Sequence, residues 1–478
     1  MCECVSLKYK HSICWIRRDI RLQDQKSLSL AKLNSENITI VFVFDTTILE
    51  KLKDKDDRRV TFIHQSLQEL NNKLQAKGSQ LVVMHGDPIE EIPKVVKALQ
   101  VDAVYAGMDF EPQAKKRDQK VHEKLQSMGC FFHLVKDQVI FSGNEVMKAT
   151  GEPFKVFTPY KNQWLKQLKT EDTWNASSNK ENYTHHTKLK VFAHDWSLKD
   201  IGFEKTKLWL EAGETEAKFR LRRFMGAINQ YKEDRNYPWK DKGTSALSVH
   251  FRFGTISIRS AVRQVLENRS EGARTWLSEL IWREFYMMVL DQYPHVVNEA
   301  FKPEYNDIKW PGSDEMFQKW CAGMTGYPIV DAAMRHFNKT GWMHNRLRMI
   351  TAMFLCKDLL VDWRKGEAYF ARYLLDFDLS ANNGGWQWCA STGCDAQPYF
   401  RIFNPILQSE RFDANGEYIR EHCPELQGFS NKTIHAPWLA SKAEQEKAKC
   451  IVGKDYPKPI VDHAEQREKV LRLFKKTI

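Results

Sequence analysis

Residues 38–44 read ITIVFVF and form the longest nearly unbroken apolar run in the chain, interrupted once by Thr39. A short run of β-branched and aromatic residues predicts a buried strand. Similar runs alternate, between residues 13 and 135, with amphipathic stretches such as residues 59–77. Strands and helices in alternation predict an α/β domain with a parallel, Rossmann-like sheet. The predicted strands are residues 13–16, 38–44, 80–84, 103–105 and 131–135.

The same apolar run is far shorter than the roughly 20 residues that a membrane span needs. The N-terminal residues MCEC do not form a signal peptide, and none of the ten cysteines stands in a C-x-x-C motif. Apolar residues make up 42% of the chain and charged residues 28%, which is the composition of a folded protein. These features predict a reduced, cytoplasmic protein with no membrane partner.

The pattern changes twice along the 478 residues. Residues 173–190 (TWNASSNKENYTHHTKLK) are polar and predict a surface linker, and from Glu214 onward only helical periodicity remains. We therefore predict an α/β domain over residues 1–137, a connector over 138–213 and an all-α domain over 214–478. The predicted helices of the last domain are residues 214–231, 259–268, 275–292, 314–321, 328–339, 343–361 and 366–375. The α/β part has neither G-x-G-x-x-G nor a P-loop motif, so ordinary dinucleotide binding is not predicted there.

Positive charge is concentrated in the helical part. Lys and Arg (72) exceed Asp and Glu (61), and 18 of the 26 arginines lie between residues 220 and 420. Arginine suits bidentate phosphate contacts, so an anionic partner is one interpretation. The other is a set of solvated helix faces.

The segment SELIWREFYMMVL (residues 278–290) places polar and aromatic side chains along one side of a predicted helix. An apolar stripe occupies the roughly opposite side. The arrangement suggests the wall of a cleft, or an exposed face with an internal salt bridge. The polar and aromatic stripe is Glu279, Trp282, Arg283 and Tyr286, and the apolar stripe is Leu277, Ile281, Phe285 and Met288.

Three further motifs stand out. WMHNRLRMI (residues 342–350) reads as a basic helix, and His344 within it predicts no metal site. In DFDLSANNGGWQW (residues 376–388) the paired glycines favour a loop between helices or a close backbone approach to a flat ligand. GTSALS (residues 243–248) offers hydroxyl groups for phosphate oxygens or for helix capping.

Together these motifs resemble the photolyase/cryptochrome flavoproteins, and among them the bacterial class I photolyases that act on cyclobutane pyrimidine dimers (CPDs). The resemblance runs nearly end to end and also includes WIRRDIRLQD, YKEDRNYP, TGYPIVDAAMR, DWR and PYFRIFNP. It implies an N-terminal α/β domain and a helical domain holding FAD. It further implies a monomer that repairs dimers in DNA with light, by electron transfer from reduced FAD to a flipped-out dimer.

The resemblance also implies roles for individual residues. Catalysis is assigned to Glu279, Asn345, Met349 and Asn382, the last facing the flavin N5. Electron transfer is assigned to Trp310, Trp363 and Trp386. FAD binding is assigned to Tyr231, Thr244, Ser245, Leu247, Ser248, Trp276, Arg283, Arg348, Asp376, Asp378 and Asn382. DNA binding is assigned to Arg235, Trp282, Arg283, Arg346, Trp388, Arg401 and Gln408, with Trp282 and Trp388 as walls for the dimer.

Alternatives remain at this point. A cryptochrome photoreceptor without repair activity shares the family motifs, but Asn382 and the pair Glu279 and Trp282 favour repair. Six-four photolyases carry histidines at the positions of Asn345 and Met349, and a nucleotidyl-type α/β enzyme would need the missing phosphate loops. A folate antenna (5,10-methenyltetrahydrofolate) is expected. Gln113 and Ala114 replace the family's Asn and Glu, which leaves a deazaflavin, a flavin or an empty site open.

Overall fold

The computed structural model describes residues 8–194 and 196–475. Backbone contacts divide these residues into two compact units. Unit 1 contains residues 8–153, 161–194, 196–226 and 245–291, and unit 2 contains residues 154–160, 227–244 and 292–475. The sequence-based domain boundaries stay a prediction.

Unit 1 is built on a five-stranded sheet in the order β3-β2-β1-β4-β5, with every neighbouring pair parallel. The strands are β1 (Tyr9–Trp15), β2 (Ser35–Asp45), β3 (Val82–Gly86), β4 (Ala103–Gly107) and β5 (Phe131–Val135). Residues 38–44 lie in β2 and are all buried. A strand covered on both faces needs apolar side chains in both directions, which explains the run ITIVFVF.

The helices follow in chain order. The first eleven are α1 (Lys26–Asn34), α2 (Thr46–Leu49), α3 (Arg58–Gln75), α4 (Pro88–Leu99), α5 (Pro112–Ser127), α6 (Phe157–Gln167), α7 (Glu214–Met225), α8 (Tyr231–Asp234), α9 (Ser248–Phe253), α10 (Ile258–Leu266) and α11 (Glu271–Gln292). The others are α12 (Asp314–Ala322), α13 (Pro328–Thr340), α14 (Asn345–Met353), α15 (Trp363–Tyr373), α16 (Leu379–Ala390), α17 (Pro405–Phe412), α18 (Glu417–His422), α19 (Lys442–Lys447) and α20 (His463–Lys475). The predicted class, an α/β region followed by a helical region, is confirmed.

Two predicted helices are shorter than expected. The helix expected over residues 214–231 ends at Met225, before Gly226, and a 3-10 turn (Ile228–Gln230) leads into α8. Glycine weakens a helix interior, which accounts for the break. The helix expected over residues 343–361 ends at Met353 and continues as a π-helical turn, Phe354–Asp358.

The prediction of a surface linker over residues 173–190 is partly wrong. Ile38 donates from its backbone N–H to Asn182 and accepts from Thr184, at 2.8 and 2.7 Å. The side chain of Thr184 is buried. Because β3 pairs with β2 only from Val41 onward, the first half of that β2 edge would otherwise be unpaired. Residues 182–184 of the predicted linker cover this part of the β2 edge.

The loop interpretation of the NNGGWQW motif is also wrong. Residues 379–390 form α16, whose N-terminus is capped by Asp378 through hydrogen bonds from the backbone N–H groups of Ser380 and Ala381. This cap and the surrounding packing outweigh the helix penalty of Gly384 and Gly385. Trp386 and Trp388 therefore lie on a helix.

The core of unit 2 gathers apolar side chains from α12 to α16 around Trp320, which is fully buried. α15 packs along α16, and α14 contacts both α13 and α16. Among the described residues, no helix combines the length and apolar character of a membrane span. No group of three or more His, Cys, Asp and Glu side chains in the same residues is placed to hold a metal ion.

Candidate active site

Unit 1 carries the predicted stripe on α11. Glu279, Trp282, Arg283 and Tyr286 are half-buried, whereas the apolar stripe on the other side of the helix is buried. The ring centroids of Trp282 and Tyr286 lie 5.4 Å apart. α11 therefore presents one accessible row with a carboxylate, an indole and a guanidinium group.

Two more predicted elements of the FAD site lie in unit 1. Trp276 is 3% exposed, and its ring lies 4.9 Å from that of Phe224. In the GTSALS motif the Ser245 hydroxyl accepts only a long hydrogen bond from the Leu247 backbone, at 3.4 Å. α9 begins at Ser248 without a side-chain cap, so the capping interpretation of this motif is wrong. Thr244, in unit 2, is half-buried.

In unit 2, Arg348 and Asp376 form an ion pair with a separation of 2.7 Å between Nη2 and Oδ2. Arg348 Nε also donates to the Met343 carbonyl at 2.8 Å, so the guanidinium group is held in place. The second carboxylate oxygen, Asp376 Oδ1, is buried and accepts no hydrogen bond from the described residues. It is available to a donor from a ligand.

Asn382 lies on α16, and its amide nitrogen is committed to α15. It donates to Oε1 of Glu367 at 2.8 Å and to the Glu367 backbone carbonyl at 3.1 Å. Burial raises the pKa of Glu367, and the bond from Asn382 opposes this rise. With the nitrogen engaged, the amide oxygen of Asn382 is left to accept a hydrogen bond.

Both ends of α16 are fixed. Along the helix, Asn383 Nδ2 donates to the Val296 carbonyl at 2.8 Å, and Gln387 Nε2, one turn later, donates to the same oxygen at 3.0 Å. At its C-terminus, the buried ammonium group of Lys357 lies 2.9 Å from the Ser391 hydroxyl. A positive charge at a helix C-terminus is favourable. These contacts set the positions of Asn382 and of both tryptophans.

Two of the unit 2 residues predicted to contact the dimer are neighbours. The amide nitrogen of Asn345 lies 4.0 Å from the Met349 sulfur, one turn along α14. Asn345 is exposed and Met349 is half-buried against the unit 2 core. Trp388 packs on the same core and is half-buried. The structure thus leaves these side chains partly accessible.

Positive charge surrounds His344, the residue that caps α14. Burial, together with the charges of Arg346, Arg235 and Arg348, lowers the pKa of His344 to about 3. Its Nδ1 accepts from the Arg346 backbone at 3.1 Å, while Nε2 is buried with no partner among the described residues. The imidazole is therefore neutral, and of the three guanidinium groups near it that of Arg348 is paired with Asp376.

The arginines predicted to contact DNA are differently placed. Arg346 Nη2 donates to Asn236 at 2.6 Å, and its guanidinium group lies 4.3 Å from the Phe412 ring centre. Arg235 lies 5.4 Å from the ring of Tyr231, which is buried. Arg401 is exposed, as expected for a phosphate contact. Gln408 is half-buried on α17.

The three tryptophans assigned to electron transfer differ in depth. Trp386 and Trp363 are buried, and Trp310 is half-buried. The ring of Trp386 lies 6.0 Å from that of Trp320 and packs closely over Gly366, where an added Cβ would come within 2.1 Å of it. Trp310 is therefore the most exposed of the three, and exposure does not order Trp363 and Trp386.

Four unit 2 residues were missed by the sequence argument. They are Glu367, Gln387, Gly366 and Trp320. Each acts through a neighbour on another helix, and no local pattern marks such a contact. The sequence offered two signals for these residues: Gln387 stands between two tryptophans, and Glu367 follows Gly366.

Comparison with known proteins matches both parts of the chain. Residues 12–178 match the family model described as DNA photolyase, and residues 276–476 match that described as the FAD binding domain of DNA photolyase. A deoxyribodipyrimidine photo-lyase of Alkalihalophilus pseudofirmus is 38% identical over 471 residues, covering 96% of this chain and 97% of that one. The chain belongs to the DNA photolyase family.

Solved photolyase structures share the fold over the whole chain. The class III photolyase of Agrobacterium tumefaciens superimposes with a TM-score of 0.90 at 32% identity, covering 100% of this chain and 99% of that one. The archaeal photolyase of Sulfolobus tokodaii, solved with two FAD molecules, has a TM-score of 0.81 at 31% identity and covers 98% and 100%. The family predicted from the motifs is confirmed. The assignment to class I stays a prediction.

The unit 2 residues fit a flavin. A flavin ring brings N–H donors, and the buried Asp376 Oδ1 and the Asn382 amide oxygen are acceptors without a donor among the described residues. Arg348 is fixed beside one of them. This donor and acceptor set supports the FAD assignment that the family match carries.

Proposed function

We propose that this chain repairs cyclobutane pyrimidine dimers in DNA with light. The observation that carries the proposal is the full-length match to deoxyribodipyrimidine photo-lyases, together with the stripe of Glu279, Trp282 and Arg283 on α11. When bound, reduced FAD supplies one electron to the dimer under blue or near-UV light and takes it back after the ring opens. The protein's own residues bind and orient both partners.

Glu279 is the residue that contacts the dimer bases. Its carboxyl group would hydrogen-bond the dimer bases and so contribute to stabilising added electron density there. Asn345 and Met349 are further proposed dimer contacts. Trp282 and Trp388 pack against the dimer, because a rigid indole binds a flat apolar ligand at low entropic cost.

The cofactor residues divide by chemistry. When FAD is bound, Arg348, Asp376 and Asp378 would hold the ring edge, and the oxygen of Asn382 would accept a hydrogen bond from the flavin N5–H. Phosphate oxygens accept from the hydroxyl groups of the GTSALS motif. Tyr231, Trp276 and Arg283 complete the set, with Leu247 supplying an apolar contact.

DNA is bound through its phosphates by Arg235, Arg346, Arg401 and Gln408. Such contacts position the duplex and make binding sensitive to salt. A base leaves the stack to reach the active site, as the family requires. The guanidinium groups of Arg235 and Arg346 near His344 support this role.

Trp386, Trp363 and Trp310 carry electrons between the surface and the flavin when it must be reduced. The greater exposure of Trp310 than of Trp386 and Trp363 supports its place at the surface end. We further propose a monomer in the bacterial cytoplasm.

A folate antenna is our proposal for the second chromophore. The carboxyl end of β1, where open parallel sheets usually bind nucleotides, is filled by the chain itself. The guanidinium groups of Arg17 and Arg117 lie 4.7 and 5.2 Å from the ring centre of Trp15, and Arg17 pairs with Asp118 at 2.5 Å. This filling argues against a flavin antenna at the carboxyl end of β1.

One experiment tests the whole proposal. The absorption spectrum of purified protein reports flavin and antenna, and illumination with dimer-containing DNA reports repair. Loss of dimers only in the light is expected. A flavin spectrum without repair would contradict the proposal and support a photoreceptor instead.

A further inference from the structure

Glu284 is a buried carboxylate on α11 that no step of the proposed function uses. It is 3% exposed and accepts three hydrogen bonds from neutral donors. Oε2 accepts from the Ile140 backbone N–H at 2.8 Å. Oε1 accepts from the Phe141 N–H at 2.8 Å and from the indole Nε1 of Trp164 at 2.6 Å. All four residues belong to unit 1.

The donors come from a short segment after β5 and from α6. The neighbouring residue on α11 adds a fourth polar contact, because Arg283 Nη1 donates to the Gln138 carbonyl at 2.7 Å. A small apolar cluster of Phe110, Val139 and Met287 packs beside these bonds. Residues 138–141 thus hold α11 by directional contacts as well as apolar packing.

Glu284 lies on the opposite side of the helix from the accessible stripe. At roughly 100° per residue, it is about 140° from Glu279 and about 160° from Trp282. Apolar packing is non-directional and tolerates small rotations of a helix. Hydrogen bonds weaken steeply when misaligned, so three of them at one carboxylate restrict rotation and axial sliding.

Burying the Glu284 carboxylate costs desolvation free energy, which argues for a role beyond filling space. Burial raises the pKa of Glu284, and although the three donors oppose this rise the pKa is still about 7. An apolar side chain of similar volume would avoid the desolvation cost but leave three buried donors without partners. The geometry therefore favours a carboxylate for alignment.

We propose that Glu284 is a positioning residue that sets the rotation of α11 and so aims Glu279 and Trp282 at the dimer. This inference rests on the proposed function of those two residues. Glu284 contacts neither DNA nor flavin. It acts through the backbone of α11.

The variant Glu284→Gln tests the proposed positioning role. The amide oxygen can keep the bonds from Phe141 and Trp164, but the amide nitrogen then opposes the N–H of Ile140. We expect the affinity of the holoenzyme for a duplex with one thymine dimer to fall about tenfold in the dark, the size of one misplaced hydrogen bond. Affinity for the undamaged duplex and the flavin spectrum should not change.

Asp331→Asn is the matched control. Asp331 is a buried unit 2 carboxylate that accepts from Thr325, Gly326 and Tyr456. Asp331→Asn should lower the midpoint temperature of unfolding, as Glu284→Gln does, but leave the ratio of dimer to undamaged-duplex affinity unchanged. Trp164→Phe removes one donor from the Glu284 network, so it should weaken dimer binding less, and its effect should not add to that of Glu284→Gln.

The outcomes separate the two claims. If Glu284→Gln lowers the thermal midpoint but keeps the wild-type ratio of dimer to undamaged affinity, Glu284 is merely structural and the inference is wrong. If that variant does not fold, the same ratio in Trp164→Phe decides. If wild-type protein has no preference for the dimer duplex, the proposed function fails instead.

Discussion

The amide nitrogen of Asn382 donates to the carboxylate of Glu367 at 2.8 Å, which leaves the amide oxygen as the group available to a ligand. In the proposed complex that oxygen accepts from N5–H, a proton carried by reduced but not by oxidised flavin. Glu367 therefore favours the reduced cofactor by holding the amide in one orientation.

Replacing Glu367 by methionine should lower the midpoint potential of bound FAD. Without the carboxylate only the backbone carbonyl of residue 367 still holds the Asn382 amide, so its nitrogen can turn toward N5 more easily. The loss of one hydrogen bond selective for the reduced form corresponds to about 10–30 mV for a two-electron couple. Spectroelectrochemical titration measures the shift. Tyr369→Phe, on the same helix but bonded to Asn338, is the control and should leave the potential unchanged.

Glu279→Ala should lower the quantum yield of repair severalfold while FAD stays bound. The carboxyl group is proposed to stabilise charge that appears only in the reduced dimer, and a hydrogen bond to a charged group contributes about 1.5–3 kcal/mol. Repair per absorbed photon is the measurement. Ser278→Ala, whose hydroxyl bonds only to the Arg274 carbonyl of α11, is the matched control. An unchanged yield in Glu279→Ala would remove this residue from catalysis.

Trp386→Phe should block photoreduction of oxidised FAD, because phenylalanine is far harder to oxidise than tryptophan. Repair by enzyme reduced beforehand should survive. Photoreduction is followed by the flavin absorbance under blue light with an external thiol. Trp320→Phe is the control, since Trp320 touches Trp386 but is not in the proposed chain. If photoreduction is lost in Trp320→Phe and kept in Trp363→Phe, the electron-transfer path runs through Trp320 instead of Trp363.

Lys357 makes the stability of unit 2 depend on pH. Burial lowers the pKa of Lys357 to about 7, so the unfolded chain binds this proton more tightly than the folded one. The buried charge lowers the free energy of unfolding most below pH 7. That free energy rises as pH increases from 7 toward the lysine pKa of the unfolded chain. Between pH 7 and 8.5 the free energy of unfolding should rise by about 1–2 kcal/mol more in wild type than in Lys357→Met.

Urea denaturation at the two pH values measures that difference. Lys357→Met also loses the contact with Ser391 at the end of α16. Ser391→Ala removes the same contact while keeping the ammonium group, and should retain the pH dependence. Equal pH dependence in wild type and Lys357→Met would contradict the role of the buried charge.

Arg401→Ala should weaken binding to damaged and undamaged duplexes alike. A phosphate contact carries no sequence or lesion information, and its loss should reduce the slope of log K against log salt by about 1. Binding titrations at several salt concentrations give the slope. Arg467→Ala, an exposed arginine on α20 next to Glu468, is the control and should leave the slope unchanged. A selective loss of dimer binding would instead place Arg401 at the lesion.

Much of the fold could be predicted because its signals are local. A strand buried on both faces must be apolar, so residues 38–44 were identifiable, and the apolar stripe of α11 identified both the helix and its accessible side. The helical state of residues 379–390 was missed, because two glycines argue against a helix. The cap by Asp378 and packing against α15 decide it.

The sequence by itself determined the family, the α/β-then-helical architecture and the residue types available for flavin and DNA, since motifs and periodicity are properties of neighbouring residues. Only the tertiary structure decided how those side chains are held. The pairing of Asn382 with Glu367, of Arg348 with Asp376 and of Glu284 with residues 140 and 141 joins distant parts of the chain. Such contacts form when helices pack, and packing depends on shape and burial that no local spacing encodes.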